Sequence, residues 1–472
     1  MREDRSDLVV IGAGIAGLIA ANRAAELGLR CTVLECGEGQ YICNTRLTGG
    51  MFHICMKNIA RPSDESFRSI LQAVPDLPSL DLARAVADNG ERMVRWLRRQ
   101  GVRLIKAGPD EAYWWVLAPP RTMQIGMPWK GRAGDVMMRT LEEGLIRRGG
   151  AIVRGAHAEA LCMTGGVCTG VEAVVQDARR TFQASAVVIA DGGFQSNLSM
   201  LRQYITPKPE SLFQRCAPGG NGDGIRMAQA LGAKTVGMSS FYGHVLNRAV
   251  FSNPALWPYP IMDRVVAAGI AVDAHGVRFM DEGLGGVYQA NQIAKMADPL
   301  SAVAIFDAEI WQQAGRQSKL SAPNPALIKR GGVLWQATDL PSLARLAGLP
   351  PDALCSTIEA YNAAVRSRAT AELSPARSPT KFKPAVIATQ PFFAAPLCAG
   401  ITYTMGGIAT DASARVIDQD DCAIPGLYAA GCTTGGLEGG AMAGYVGGLV
   451  KSGTMAMLAA ESIAAARLPV PG

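Results

Sequence analysis

The chain opens on a short, unbroken apolar run, Asp7 to Ile11 (DLVVI), the pattern of a strand buried on both faces. Gly12-Ala13-Gly14-Ile15-Ala16-Gly17 follows without a spacer, and Ile15 to Leu27 continues as an Ala-rich helix that Gly28 stops. A second β-branched run, Arg30 to Glu35 (RCTVLE), ends on an acid 23 positions after Gly12. The order predicts a complete βαβ unit. Ala186 to Ile189 is another apolar strand, ending in Ala190-Asp191-Gly192-Gly193 and able to join the same sheet. Asn221-Gly222-Asp223-Gly224 precedes a helix expected over 225–233, with Ile225, Met227, Ala228 and Leu231 on one face and Asp223 near the N-cap. From Val245 to Pro384 proline and aromatic residues become more frequent, with short helices expected around Ala302–Gln312 and Pro351–Arg366. Residues 370–384 read as a solvated connector, after which glycine density rises again between Gly400 and Gly448. These shifts divide the chain into 1–244, an inserted 245–390, and a returning 391–472.

The glycines give the first unit its chemistry. There are 53 in 472 residues, above average usage and without a collagen period, so many positions need tight turns or close ligand approach. In the opening motif Gly12 permits the turn, Gly14 lets a pyrophosphate reach the backbone, and Gly17 lets helix pack on strand. The helix N-terminus offers free N–H groups to phosphate, and Glu35 is placed to accept from ribose hydroxyls. The net charge of +6 includes no long basic run, which argues against nucleic acid as a partner. The acidic start and short apolar runs do not read as a secretion signal or a membrane span, and 11 scattered cysteines without a CxxC pair suit a reduced, cytoplasmic protein. Metal binding has no support, since no histidine pair has ligand spacing.

Seven ordered segments together resemble the FAD-dependent fumarate reductase and succinate dehydrogenase flavoprotein superfamily, which includes ketosteroid dehydrogenases. They are the opening fingerprint, Asn44-Thr45-Arg46-Leu47-Thr48-Gly49-Gly50, Ala190 to Phe194, Gly222-Asp223-Gly224, Gly276 to Glu282, Tyr403 to Gly407, and Gly426 to Gly431 with Gly447-Gly448. The resemblance implies an α/β chain in which a Rossmann-type FAD-binding domain, built from both chain ends, carries an inserted α+β capping domain. It also implies that the late helix near Gly447-Gly448 stabilises negative charge on the reduced flavin. The cofactor contacts expected are Gly12, Gly14, Ala16, Gly17, Glu35, Cys36, Asn44, Thr45, Arg46, Thr48, Gly49, Gly50, Ala190, Asp191, Gly192, Asn221, Asp223, Gly407, Gly431, Cys432, Gly447, Gly448 and Leu449. Cys43 stands where membrane-bound relatives attach FAD through histidine, so FAD is expected to be non-covalent. Cys432 replaces a glutamate that contacts the ribityl chain in many relatives.

The sequence departs from the family where fumarate is gripped. Gly286 replaces the arginine that delivers the proton, Tyr403 a histidine and, at or near it, Tyr445 an arginine. A desolvated dicarboxylate needs paired cations, so a keto acid or cyclic enone is expected instead. Pro391-Phe392-Phe393-Ala394 lacks the tyrosine of the ketosteroid dehydrogenases. His244 falls where the family has His-Pro-Thr, and of His53, His157, His244 and His275 it alone is expected at the domain junction. His244, Tyr403 and Tyr445 are therefore the catalytic candidates, with Tyr288 weaker. Arg278 is expected to pair with Asp281 or Glu282, and the segments Tyr113-Trp114-Trp115 and Trp257-Pro258-Tyr259 either line a pocket or pack in the core. The expected reaction is desaturation or ene reduction of a small molecule next to a carbonyl or carboxylate, with an unidentified electron donor or acceptor. The alternatives are an NAD(P)H-dependent flavin monooxygenase or disulfide reductase, and a flavin-binding partner protein without turnover.

Overall fold

The computed structural model describes residues 4–39, 41–121, 129–317, 321–379 and 382–467. The apolar runs of the two chain ends form one eight-stranded sheet. Its main path runs Arg415–Ile417, Ala423–Ala429, Ala178–Ile189, Asp4–Ile11, Cys31–Glu35, Ala151–Arg154, with Ala156–Thr164 and Val167–Val175 attached as an antiparallel meander. The strands 423–429, 178–189, 4–11, 31–35 and 151–154 are mutually parallel, each neighbour in register with the next. Both faces are covered, which is why these strands read as continuous apolar runs. Leu8 and Val10 face the helices Ile15–Glu26 and Gly448–Arg467, whereas Val9 and Ile11 face the opposite core.

A second sheet orders Phe241–Asn247, Phe392–Thr404, Val303–Asp307 and Ile270–Val272, with Trp335–Ala337 and Phe213–Gln214 also pairing with 392–404. The central strand 392–404, at the start of the returning segment, pairs with Val303–Asp307 and Trp335–Ala337 of the inserted segment, with Phe241–Asn247 across the 244/245 division and with Phe213–Gln214 of the first segment. Val9, Ile11 and Val187 of the first sheet belong to the same core as Ile305, Phe306 and Leu397 of the second. The two sheets are thus joined by packing as well as by chain.

Two local expectations change. The segment 302–312 is not one helix: Val303–Asp307 is a strand and only Ala308–Gln312 is helical. The Asp307 carboxylate caps the helix at Ile310 N–H and accepts from the N–H groups of Ala388 and Thr389, so it ends the strand and starts the helix. The connector 370–384, of which residues 380 and 381 lie outside the described residues, is not uniformly solvated. Arg377 is fully buried, bonds the carbonyls of Ala267 and Phe382, and lies 3.9 Å from Glu282.

Candidate active site

A cleft of about 960 Å³, its solvent-open mouth included, lies at the C-terminal ends of the parallel strands 4–11, 31–35, 178–189 and 423–429. That is the position in which open α/β sheets bind ligands. Gly12 turns with φ +96°, and a Cβ there would stand 2.7 Å from the Ala190 carbonyl oxygen. At Gly17 a Cβ would fall 1.8 Å from the Gly12 carbonyl oxygen, so this glycine serves helix–strand contact and does not line the cleft. Glu35 is held by Ala13 N–H at 2.9 Å and Gly37 N–H at 3.0 Å, and Thr45 Oγ1 accepts from Ile15 N–H at 3.0 Å. The N-cap residue Gly14 supplies no side-chain cap to the helix that begins at Ile15.

Gly12, Gly14, Ala16, Glu35, Cys36, Asn44, Thr45, Ala190, Asp191, Gly192, Asp223, Gly431 and Cys432 line this cleft. Asp191 Oδ2 accepts from Gly224 N–H at 2.7 Å, while its Oδ1 is buried without a partner, as is Gln195 Oε1. Burial pushes the Asp191 carboxyl up to about 6, against the pull of the Gly224 N–H and with a further push from Asp223. Two unfilled acceptors beside a glycine cradle suit a ligand rich in hydroxyl and N–H groups, as FAD is. Among the residues that the motifs did not flag, Gln195, His157, Gly219, Gly220 and Ser452 also line the cleft, brought there by strand crossovers that local pattern does not encode.

Arg46, Thr48, Gly49, Gly50, Asn221, Gly407, Gly447, Gly448 and Leu449 lie off this lining. Arg46 faces Asp135 at 3.8 Å, and Thr48 Oγ1 accepts from Gly50 N–H. The exposed Asn221 gives its carbonyl to Asn197. Gly407 avoids the Thr433 carbonyl, Gly447 the His53 carbonyl, and Gly448 the Tyr403 ring, while Leu449 joins the helix core.

Beside the cleft, antiparallel register places Tyr242 opposite Tyr403. Tyr242 stacks on Tyr403 at 5.2 Å and on Tyr445 at 4.3 Å, and His53 meets Tyr445 edge-on at 5.6 Å. Tyr403 Oη donates to Glu438 at 3.0 Å, and Glu438 Oε1 accepts the N–H groups of Val446 and Gly447 at 2.9 and 3.0 Å. Lys451 Nζ completes the carboxylate's shell at 2.9 Å, with both ionic side chains buried. Burial alone would raise the Glu438 carboxyl, but Lys451 and these N–H groups outweigh it and hold the pKa below the usual range. Burial, reinforced by Glu438, lifts the Tyr403 and Tyr445 phenols well above theirs. Burial depresses the His53 imidazole to about 4. Glu438 and Lys451 are the members that the motifs missed; Lys451 registers in the sequence only as a break in an Ala- and Gly-rich tract.

His244 Nδ1 lies 2.6 Å from Asp263 Oδ2, and its Nε2 lies 3.3 Å from Tyr242 Oη. Asp263 Oδ1 accepts from Val245 N–H at 2.8 Å, which fixes the carboxylate. Asp263 also explains Gly286: a Cβ there would fall 2.0 Å from the Asp263 carboxylate. The place of the family's arginine is therefore filled by an acid reaching in from another helix. His244, Tyr403 and Tyr445 converge through Tyr242, which sequence reading passed over. Tyr288 is half-buried against the core, and Arg278 makes a buried ion pair with Glu282 at 2.6 Å, not with Asp281. The cluster adjoins the cleft: Asn44, which lines it, donates to the Thr402 carbonyl at 2.7 Å, one residue before Tyr403. Among the described residues no group of three or more His, Cys, Asp or Glu side chains could hold a metal.

A parallel sheet with a glycine-rich cleft at its carboxyl ends, and a second sheet closing on it, defines a nucleotide-binding flavoprotein class. The chain belongs to the FAD binding domain family, whose model matches residues 7–445, and its cofactor is FAD. It is 26% identical to an NADH:fumarate oxidoreductase of Klebsiella pneumoniae over 95% of this chain and 47% of that protein, so it spans about half of that relative's length. It is 27% identical to a 4-oxocyclohexanecarboxylate 2-dehydrogenase of Sinomonas cyclohexanicum over 97% of this chain and 92% of that one. A 3-ketosteroid-delta4-(5alpha)-dehydrogenase structure from Rhodococcus jostii shares the fold, with a TM-score of 0.72 and 22% identity over 98% of this chain and 97% of that one.

Proposed function

We propose that the chain is an FAD-dependent oxidoreductase that moves a hydride and a proton across a C–C bond next to a carbonyl or carboxylate, on a keto acid or cyclic enone rather than fumarate. The observation that carries this reading is the chain Asp263–His244–Tyr242 meeting the buried Tyr403, Tyr445 and Glu438 cluster beside the cofactor cleft. In this reading a Rossmann-type FAD domain (1–244 and 391–472) carries a capping domain (245–390). Of the relatives' names, 4-oxocyclohexanecarboxylate 2-dehydrogenase supports a cyclic keto acid, whereas NADH:fumarate oxidoreductase does not.

Gly12, Gly14, Glu35, Asp191 and Asp223 would hold FAD, which supplies hydride exchange at its N5. Asp263 accepts the Nδ1–H of His244 and fixes the tautomer, so that Nε2 holds or receives the proton beside Tyr242 Oη. The high-lying phenols of Tyr403 and Tyr445 stay protonated near neutral pH; Tyr403 spends its O–H on Glu438, so Tyr445 is the phenol left to donate to a substrate carbonyl. Burial, the main cause, pushes the Cys43 thiol up to about 11, which keeps it a poor nucleophile and supports non-covalent FAD. No helix among the described residues is long and apolar enough to cross a membrane, and we assign the chain to the cytoplasm on its unpaired cysteines.

The test is anaerobic turnover of the FAD-loaded chain with enoates, cyclic enones and their saturated forms, using a dye as electron donor or acceptor. We expect one class to turn over, with His244→Ala and Asp263→Asn each losing about 10²- to 10⁴-fold in kcat. If no member exchanges electrons with the bound flavin, the reading fails. Gly286→Ala should behave like Asp263→Asn, because its methyl group would evict the carboxylate.

A further inference from the structure

A second cluster lies on the Thr402 side of the cleft, and it is cationic. Arg215 donates through Nη1 to Thr402 Oγ1 at 3.2 Å and through Nη2 to the Pro258 carbonyl at 3.3 Å. Arg121 donates through Nη1 to the Leu47 carbonyl, and its guanidinium lies 3.1 Å over the Trp129 ring. Trp129 in turn meets Trp257 at 5.6 Å, and Trp257 precedes the Pro258 whose carbonyl Arg215 holds. Within this one group three buried donors have no partner: Arg121 Nε, Arg215 Nε and Trp257 Nε1. Neither arginine forms an ion pair among the described residues.

Two part-buried guanidinium groups that repel each other, each with a buried Nε unpartnered, are costly unless an anion joins them. Burial, with Arg215 adding repulsion, lowers Arg121 to about 10. The fold also makes room for this arrangement. A Cβ at Gly400 would fall 2.5 Å from Arg215 Cδ, so the central strand leaves a gap through which the arginine stem passes. Both arginines adjoin the cleft through Leu47 and Thr402, and neither is among the residues that line it with Gly12 and Gly14. Leu47 closes the short helix Asn44–Leu47, whose first residues line the cleft, and Thr402 is bonded to Asn44 and precedes Tyr403. The FAD pyrophosphate belongs at the Gly12–Gly14 turn and the helix N-terminus behind it, in a cleft whose lining includes neither arginine.

We propose that Arg121 and Arg215, with the indole N–H of Trp257, form the seat for a single carboxylate of the substrate, whose ring or alkenyl body lies toward Tyr242 and Tyr403. The unpartnered Nε–H of each arginine and the indole N–H give one carboxylate three donors, within its acceptor capacity, and the tryptophan faces suit an apolar body. This assignment rests on the oxidoreductase reading and narrows it: the substrate is an unsaturated or cyclic monocarboxylic acid. The acid would be gripped from a place different from the three cationic positions the chain has lost.

The test needs no turnover. The FAD-loaded full chain is titrated with trans-cinnamate and with 4-oxocyclohexanecarboxylate, and with cinnamamide and cyclohex-2-enone as neutral probes, following the visible flavin spectrum. We expect saturable binding of at least one acid. Arg121→Gln and Arg215→Gln should each weaken that acid about 10- to 100-fold, as for a lost charge-assisted hydrogen-bond pair, while a neutral probe changes less than about threefold. Arg215→Lys should recover part of the loss. Should Arg215→Gln fail to retain FAD, Arg121→Gln and Arg215→Lys decide. The seat is overturned if the wild-type chain binds neither acid, if the Gln variants bind the acid unchanged, or if acid and neutral probes weaken equally with FAD content intact. A chain that binds acids through these arginines yet turns nothing over defeats the oxidoreductase reading and leaves the seat. Turnover of enones without arginine dependence does the reverse.

Discussion

At the scale of single residues, the site is governed by which buried groups keep a proton. His53 is buried against Tyr445, and its imidazole lies at about 4, below the ordinary 6.5. Between those values the unfolded chain binds the proton and the folded chain does not, so this residue makes stability rise with pH across that window. Asp191 acts oppositely: its folded value of about 6 lies above the ordinary 3.8, so without a ligand it makes stability fall as pH rises from about 4 to 6. The two effects offset in the wild-type chain, and variants separate them. His53→Gln should remove a loss on the order of 3 kcal/mol on acidification from pH 7 to 4, and Asp191→Asn should remove the opposing gain. Urea unfolding of the apo chain at a series of pH values measures both; parallel pH profiles for all three proteins would show that neither group titrates as its burial requires.

Among elements, the helix Gly448–Arg467 and the strand Phe392–Thr404 were legible to different degrees. The opening βαβ unit was readable to within three residues, because each of its periods is local: strand Asp4–Ile11, helix Ile15–Glu26, strand Cys31–Glu35. The 392–404 strand was visible only as the motif at its end, since its thirteen residues are nearly all buried and carry no alternation. Its pairing of Tyr403 with Tyr242 depends on a contact more than 150 positions away that no local pattern specifies. Arg121, Arg215 and Lys451 went unmarked because lone basic residues in sequence are ordinarily solvated. What makes Lys451 unusual is Glu438, which arrives from the loop before the helix. Removing one member leaves an unpaired buried charge, so Lys451→Met should cost about 3–5 kcal/mol, whereas Glu438→Gln with Lys451→Met together should cost less than Lys451→Met alone. Additive losses in thermal unfolding would mean the pair is not coupled. Gly17→Ala tests the other helix: its methyl group would strike the Gly12 carbonyl, so FAD content on purification should fall severalfold even where the chain folds.

For the whole molecule, the decisive feature is that the cleft and both side-chain clusters lie where two sheets share a core. Asn44 ties this place together, donating to Thr402 at 2.7 Å and accepting from Ala217 N–H at 2.8 Å, so one side chain links the cleft wall to the central strand of the second sheet. A ligand that fills the cleft therefore stabilises contacts on both sides of it, and its binding free energy adds to that of folding. FAD in excess at 100 times its Kd should raise stability by about 2.7 kcal/mol over the apo chain, with Tm dependent on FAD concentration. Asn44→Ala should reduce this stabilisation more than it reduces the stability of the apo chain, because the missing amide orients residues that only the bound cofactor engages. Differential scanning calorimetry of both proteins with and without FAD measures the two quantities, and an equal loss in both states would confine Asn44 to a structural tie.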